Sequence, residues 1–255
     1  MGLTKCLAAV LCLSMSGVCV AQSADSKDGP YSRKNGWTIF AEYSNTSTHM
    51  LMGAARQRRL VTLGGAYTRR VARFADSQLN FQAEVRPVVF ESDPLSIATM
   101  TDALQTTTGP LSFTTIEGVT TTPPCQPASG MYSLPPSPGI SSDTITYSTV
   151  CGRQWTFAQA FSPLGFKYSL MTDRRIQPFV IGTLGYMYSS RPIPLADAEA
   201  FNFEFDFGAG VEMFRSKTRS VSIECRFHHF SNRDTAEENP GVDNLMYKVS
   251  YSFGR

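Results

Sequence analysis

Val221-Ser222-Ile223-Glu224-Cys225-Arg226-Phe227-His228-His229-Phe230-Ser231 alternates at a period of two, as a β-strand with two unlike faces does. Val221, Ile223, Cys225, Phe227, His229 and Ser231 share one side. Ser222, Glu224, Arg226 and His228 share the other. After a connecting segment that includes Asn232 and Asn239-Pro240-Gly241-Val242, the pattern returns: Asp243, Leu245, Tyr247, Val249, Tyr251 and Phe253 stand against Asn244, Lys248, Ser250 and Ser252. Paired as a hairpin, the two runs bring His229, Ser231 and Asp243 to one rim. A base, a hydroxyl and a carboxylate gathered there could activate a nucleophile.

The same period recurs upstream. Trp37, Ile39, Ala41 and Tyr43 alternate with polar neighbours, as do Val61, Leu63, Gly65 and Tyr67. Leu79, Phe81, Ala83, Val85 and Val89 form a third apolar series, and Leu164, Phe166, Tyr168 and Leu170 a fourth. A less regular strand runs from about Pro178 to Tyr188, and Phe201, Phe203, Phe205, Phe207 and Val211 make another. The count is about eight strands, each near the ~10 residues that cross a bilayer at a tilt.

A soluble β-sandwich would alternate in the same way. Connection lengths separate the two architectures. Links near 72–76, 172–175 and 214–218 are short, while those near 46–56, 92–160, 190–200 and 231–242 are long. Strict alternation of short and long belongs to an all-β, eight-stranded antiparallel up-and-down transmembrane β-barrel with one long outer loop. With the short turns on the periplasmic side, the rim carrying His229 faces outward and odd-numbered residues of the last strands face lipid. Glu42, Glu84, Arg86, Lys167, Glu204, Glu224, Arg226 and Lys248 then fill the interior with charge of both signs.

The first segment agrees with export. Lys5 precedes an apolar run from Cys6 to Val20, and Cys19-Val20-Ala21 offers small residues before Gln22, the form of a signal peptide over 1–21. A lead at 22–35 and a barrel from 36 to 255, with the external loop at about 92–160, complete the expected layout. An oxidising compartment makes a Cys125–Cys151 disulfide plausible. Cys225, among apolar strand neighbours, reads as an inert small hydrophobe. A net charge of +2 over 255 residues gives no footprint for nucleic acid.

His229-Phe230-Ser231-Asn232 followed by Asn239-Pro240-Gly241-Val242-Asp243 resembles the outer-membrane lipid A 3-O-deacylase family, PagL, whose pattern is His-x-Ser-Asn and then Asn-x-Gly-x-Glu. The resemblance implies Ser231 as nucleophile, His229 as general base and Asp243 as the acid that orients the imidazole. It places Asn232, Asn239 and Gly241 in support of the site or its oxyanion. This chain has Asp243 where the family usually has Glu. The implied reaction is hydrolysis of the 3-linked ester of lipid A by a serine esterase, without cofactor, in the bacterial outer membrane. The implied partner is lipid A of lipopolysaccharide in the outer leaflet, with no nucleic acid and with a homodimer left open.

Two other readings compete. A non-enzymatic structural or adhesion barrel would use the long loop as its contact surface, and an esterase could act on another membrane lipid. His228 is expected to point inward and hydrogen-bond there, and His49 to sit in a solvated loop. Arg56, Arg58 and Arg59 make a cationic run that could meet lipid phosphates or be solvated. The Thr-rich tract 101–123 and Pro-rich tract 123–138 read as irregular outer loop. Neither metal-ligand spacing nor a phosphate-cradling glycine loop is present.

Overall fold

The computed structural model describes residues 30–44, 47–48 and 50–255. The leader read over 1–21, the start of the lead at 22–29 and His49 lie outside the described residues. The described residues form ten strands: β1 (Asn35–Ser44), β2 (Arg59–Phe74), β3 (Ser77–Thr106), β4 (Gly109–Thr120), β5 (Ala128–Leu134), β6 (Ile140–Leu170), β7 (Ile176–Ile193), β8 (Glu199–Ser216), β9 (Arg219–Ser231) and β10 (Val242–Gly254).

Eight of them close a ring in the order β3-β2-β1-β10-β9-β8-β7-β6, with β6 pairing back onto β3 and every contact antiparallel. Closure leaves the ring itself no unpaired edge, the condition a sheet must meet to cross hydrocarbon. The barrel expected from the alternation is present. Its faces are inverted relative to a water-soluble protein: Ile39, Leu184, Ile223 and Val249 are each more than half exposed on the outer wall, while Glu84 and Arg226 are 0 % exposed inside.

The interior is a lattice of ion pairs. Glu84 accepts from Arg226 at 2.9 Å, Arg86 at 3.0 Å and Lys248 at 2.9 Å. Arg86 also reaches Glu204 and Asp206, each at 2.6 Å, and Glu42 at 3.2 Å. All eight interior residues named from the sequence are buried. Desolvated charges persist only when paired this densely. His228 points inward as expected, with Nδ1 2.7 Å from Asp206. At the short-turn end two residues ahead of β1 reach into the lumen, Ser32 bonding Gln78 at 2.9 Å and Arg33 pairing with Glu212. At the outer end a cluster of Ala55, Leu60, Val89, Met187, Ile193, Phe230, Val242 and Met246 closes it.

Several expectations change. The tracts 101–123 and 123–138, expected as irregular outer loop, are largely strand, because β3 and β6 run on past the ring and take β4 and β5 at their flanks. The Thr-rich tract alternates too. Thr99, Thr101, Thr114, Thr146 and Ser148 share one face, against Met100, Leu111, Phe113, Tyr132, Ile145 and Tyr147 on the other. β-Branched threonine suits a pleated sheet, and the prolines only punctuate, at 121–127 and 135–139. Val89 is buried rather than outward, because the register slips between Arg86 and Val89 around Pro87, the kind of irregularity where a strand tolerates proline.

Arg58 is neither solvated nor available to lipid. It is buried, with Nε 2.9 Å from Asp93 and further bonds to the carbonyls of Arg56, Thr122 and Pro194. Arg56 and Arg59 are exposed. Cys125 and Cys151 form a disulfide. Cys225, expected as an inert small hydrophobe, is disulfide-bonded as well.

Candidate active site

The outer ends of β9 and β10 build the site. Register sets Asp243 directly opposite His229, and Phe205 of β8 opposite His229 on the other side. All three lie at outward-facing positions. His229 Nδ1 stands 2.7 Å from Asp243 Oδ1. A carboxylate oxygen only accepts, so Nδ1 carries the hydrogen, and in the neutral tautomer this leaves Nε2 as the acceptor. Phe205 stacks at a tilt on the imidazole, with ring centroids 5.2 Å apart. One face of the base is thus held by packing and one nitrogen by charge.

The other carboxylate oxygen is held by a segment that the sequence did not single out. Asp243 Oδ2 accepts the backbone N–H of Met50 at 3.2 Å, Leu51 at 2.7 Å and Met52 at 3.0 Å, and the Gly53 amide adds to the same carboxylate. Successive amides turned onto one anion form a nest, and they account for a carboxylate that is fully buried at the rim. Ala54 N donates to Pro240 O at 2.5 Å and Ala55 N to Gly241 O at 3.1 Å, fastening this first outer loop to the last one. The signal available in sequence was Gly53. A Cβ there would lie 2.5 Å from Asp243 N and 2.8 Å from the Val242 carbonyl carbon.

Ser231 occupies the next outward position beyond His229, opposite Phe203. Same-face residues of a strand stand about 7 Å apart, and no hydrogen bond joins the Ser231 hydroxyl to His229 among the described residues. Gly241 lies against the Cε1 edge of the His229 ring, where a Cβ would come within 3.1 Å of that carbon. Gly241 has φ +58°, so glycine serves here twice, for the left-handed turn and for the close approach.

Asn232 and Asn239 shape the loop between the strands. Asn232 Nδ2 donates to Glu238 O at 2.8 Å, its Oδ1 accepts from Asp234 N at 3.0 Å, and its own N–H donates to Asn239 Oδ1 at 3.1 Å. Asn239 Nδ2 donates to Asp234 Oδ1 at 2.9 Å. Both amides are committed to the loop rather than turned to Ser231.

Residues 138–252, from the second half of the extension through the site strands, match the family described as lipid A 3-O-deacylase, PagL. The chain carries a PagL-family region. That region holds every residue of the C-terminal motif, and the amides of residues 50–53 that hold Asp243 lie outside it. Among solved structures, the outer membrane enzyme PagL aligns at 14% identity over 86% of this chain and 99% of that one, with a TM-score of 0.48. The outer membrane protein OprG from Pseudomonas aeruginosa aligns at 9% identity over 89% of this chain and 98% of that one, with a TM-score of 0.41. No curated protein matches the chain.

Proposed function

We propose that the chain is an outer-membrane serine esterase that removes the 3-linked acyl chain of lipid A. The observation that carries this reading is the His229–Asp243 pair at 2.7 Å, turned to the apolar outer wall inside the PagL-family region. A base on that wall meets acyl chains rather than solutes.

Ser231 Oγ attacks the ester carbonyl carbon while His229 Nε2 takes its proton, since an unassisted hydroxyl yields almost no alkoxide at neutral pH. Asp243 holds the tautomer and stabilises the imidazolium. Collapse of the tetrahedral intermediate breaks the bond to the sugar oxygen, which takes the proton from His229 and leaves an acyl-serine. Water, deprotonated by the same imidazole, then attacks and releases a 3-hydroxy fatty acid with Ser231 restored. Side-chain rotation must first close the gap between His229 and Ser231. Catalytic hydrogen bonds that are open in the free enzyme commonly tighten with substrate.

Mass measurement of lipid A from cells with and without the chain tests the reading. Loss of one 3-hydroxyacyl group is expected with the unaltered chain and not with Ser231→Ala. Unchanged lipid A accompanied by fatty-acid release from phospholipid would reassign the substrate.

A further inference from the structure

Beyond Ser231 the chain turns through two consecutive non-glycine residues in the left-handed region, Arg233 at φ +58° and Asp234 at φ +59°. Such residues are uncommon and carry a conformational cost, so the surroundings must enforce them. Here Asn232 does so. Its Oδ1 accepts from Asp234 N, and its backbone carbonyl accepts from Thr235 N at 3.3 Å and Thr235 Oγ1 at 2.8 Å. The result sends the Arg233 side chain back over the outer wall. Its guanidinium lies 6.0 Å from the ring centroid of Phe203, the residue directly opposite Ser231.

Arg56 and Arg59 are also exposed at the rim, on the first outer loop and β2, whereas three other rim arginines are engaged. Arg58 is enclosed by acceptors, Arg153 Nε bonds Ser92, and Arg191 donates to the Trp155 carbonyl at 2.7 Å. Arg233 meets only the Phe203 ring, and no carboxylate pairs with it among the described residues. The neighbouring Asp234 accepts from Asn239 Nδ2 at Oδ1 and makes no ion pair with Arg233 among the described residues. At 6.0 Å from the ring centroid, the outer reach of a cation–π contact, the guanidinium keeps its hydrogen-bonding edge open. It stands at the polar boundary of an apolar wall, beside the hydroxyl.

We propose that Arg233 is the anchor for a phosphate carried by the substrate, so that the site selects an anionic phosphoglycolipid and sets its ester over Ser231. This deepens and rests on the esterase reading. The planar fork of arginine binds phosphate through two parallel hydrogen bonds. The enforced turn directs the side chain toward the Phe203 side of the outer wall and leaves the fork free to meet a phosphate.

Binding to the chain in detergent micelles tests the inference, with Ser231→Ala present throughout to prevent turnover and the probes being lipid A with its phosphates and the same lipid dephosphorylated. Adding Arg233→Gln is expected to weaken binding of the phosphorylated lipid about tenfold and to leave the dephosphorylated lipid unchanged, with Arg233→Lys in between. Equal affinity of the two chains for the phosphorylated lipid overturns the inference. So does equal weakening for both lipids, which would mean that Arg233 only packs. Inorganic phosphate that displaces the lipid at matching concentration overturns assignment to a lipid-borne group. Turnover by the unaltered chain is measured separately. If turnover is absent while phosphate discrimination survives, only the esterase reading falls; if turnover is intact without discrimination, only this inference falls.

Discussion

His229 and Asp243 face each other across adjacent antiparallel strands, with Nδ1 and Oδ1 2.7 Å apart. Directly opposed residues place their Cβ atoms about 5 Å apart, so the shorter acid spans the gap without the extra methylene of Glu. Asp243 reaches across to the imidazole with one oxygen and to the first loop with the other. The acid is the point at which two outer loops and two strands converge.

Asp243→Asn is expected to lower hydrolysis by roughly three to four orders of magnitude, as loss of the orienting carboxylate does in other triads. The amides of Met50, Leu51 and Met52 demand an acceptor, so the asparagine oxygen will turn to them and its NH2 to His229. That forces the hydrogen of the imidazole onto Nε2 and removes the base. Fatty-acid release by the purified variant, with retained heat-modifiable migration on gels as the folding control, checks this. Activity within tenfold of the unaltered chain would remove Asp243 from the mechanism.

Gly53→Ala should act on the same carboxylate from the loop side. The added Cβ meets backbone atoms of Val242 and Asp243 at 2.8 and 2.5 Å, and backbone cannot swing aside as a flexible side chain can. Displacing a positioning contact by about 1 Å costs up to ~100-fold in turnover, so kcat is expected to fall by about 10- to 100-fold with KM little changed. The loop lies outside the strand ring, and the urea midpoint of unfolding should hold. A fall in that midpoint matching the fall in activity would show a merely structural effect.

The architecture was legible because a barrel wall states its two faces in every strand. Ile223, Val249, Glu84 and Arg226 each announce their side by position alone. Val89 misled because a register slip near Pro87 changes parity without changing composition. The Thr-rich tract misled because its alternation is between threonine and modest apolar residues, so bias in composition hid the period. His229, Ser231 and Asp243 could be found because they are close in sequence. The amides of residues 50–53 could not: any residue supplies a backbone N–H, and only the fold brings that loop across to Asp243. Arg233 was passed over because an arginine in a loop is unremarked until its turn and its aromatic support are seen.

Cutting the Cys125–Cys151 link should loosen the extension and leave the ring intact. The bond spans 26 residues, a loop length for which closure constrains the unfolded segment by about 3 kcal/mol. It also ties the turn before β5 to β6. Limited proteolysis of the double Cys125→Ser/Cys151→Ser chain is expected to cut between residues 121 and 139 and to spare a folded barrel. Equal protease resistance with and without the bond would mean that the strand pairing alone holds the extension.

Removing one interior carboxylate should cost more than removing an ion pair. Glu84 faces Arg226, Arg86 and Lys248 together, so Glu84→Gln leaves three buried cations with one anion fewer among them. Loss of one partner from a buried pair typically costs about 3–5 kcal/mol, whereas replacing both partners costs far less. The single variant is therefore expected to lower stability by about that amount, measured by urea unfolding in lipid vesicles. Arg226→Met in the same chain should recover part of the loss, because Arg226 would otherwise remain fully desolvated beside a neutral amide. Recovery should be incomplete, since Arg86 and Lys248 still turn toward position 84. A Glu84→Gln chain within about 1 kcal/mol of the unaltered one, or a double variant as unstable as the sum of its singles, would show that the interior charges are solvated independently rather than holding one another.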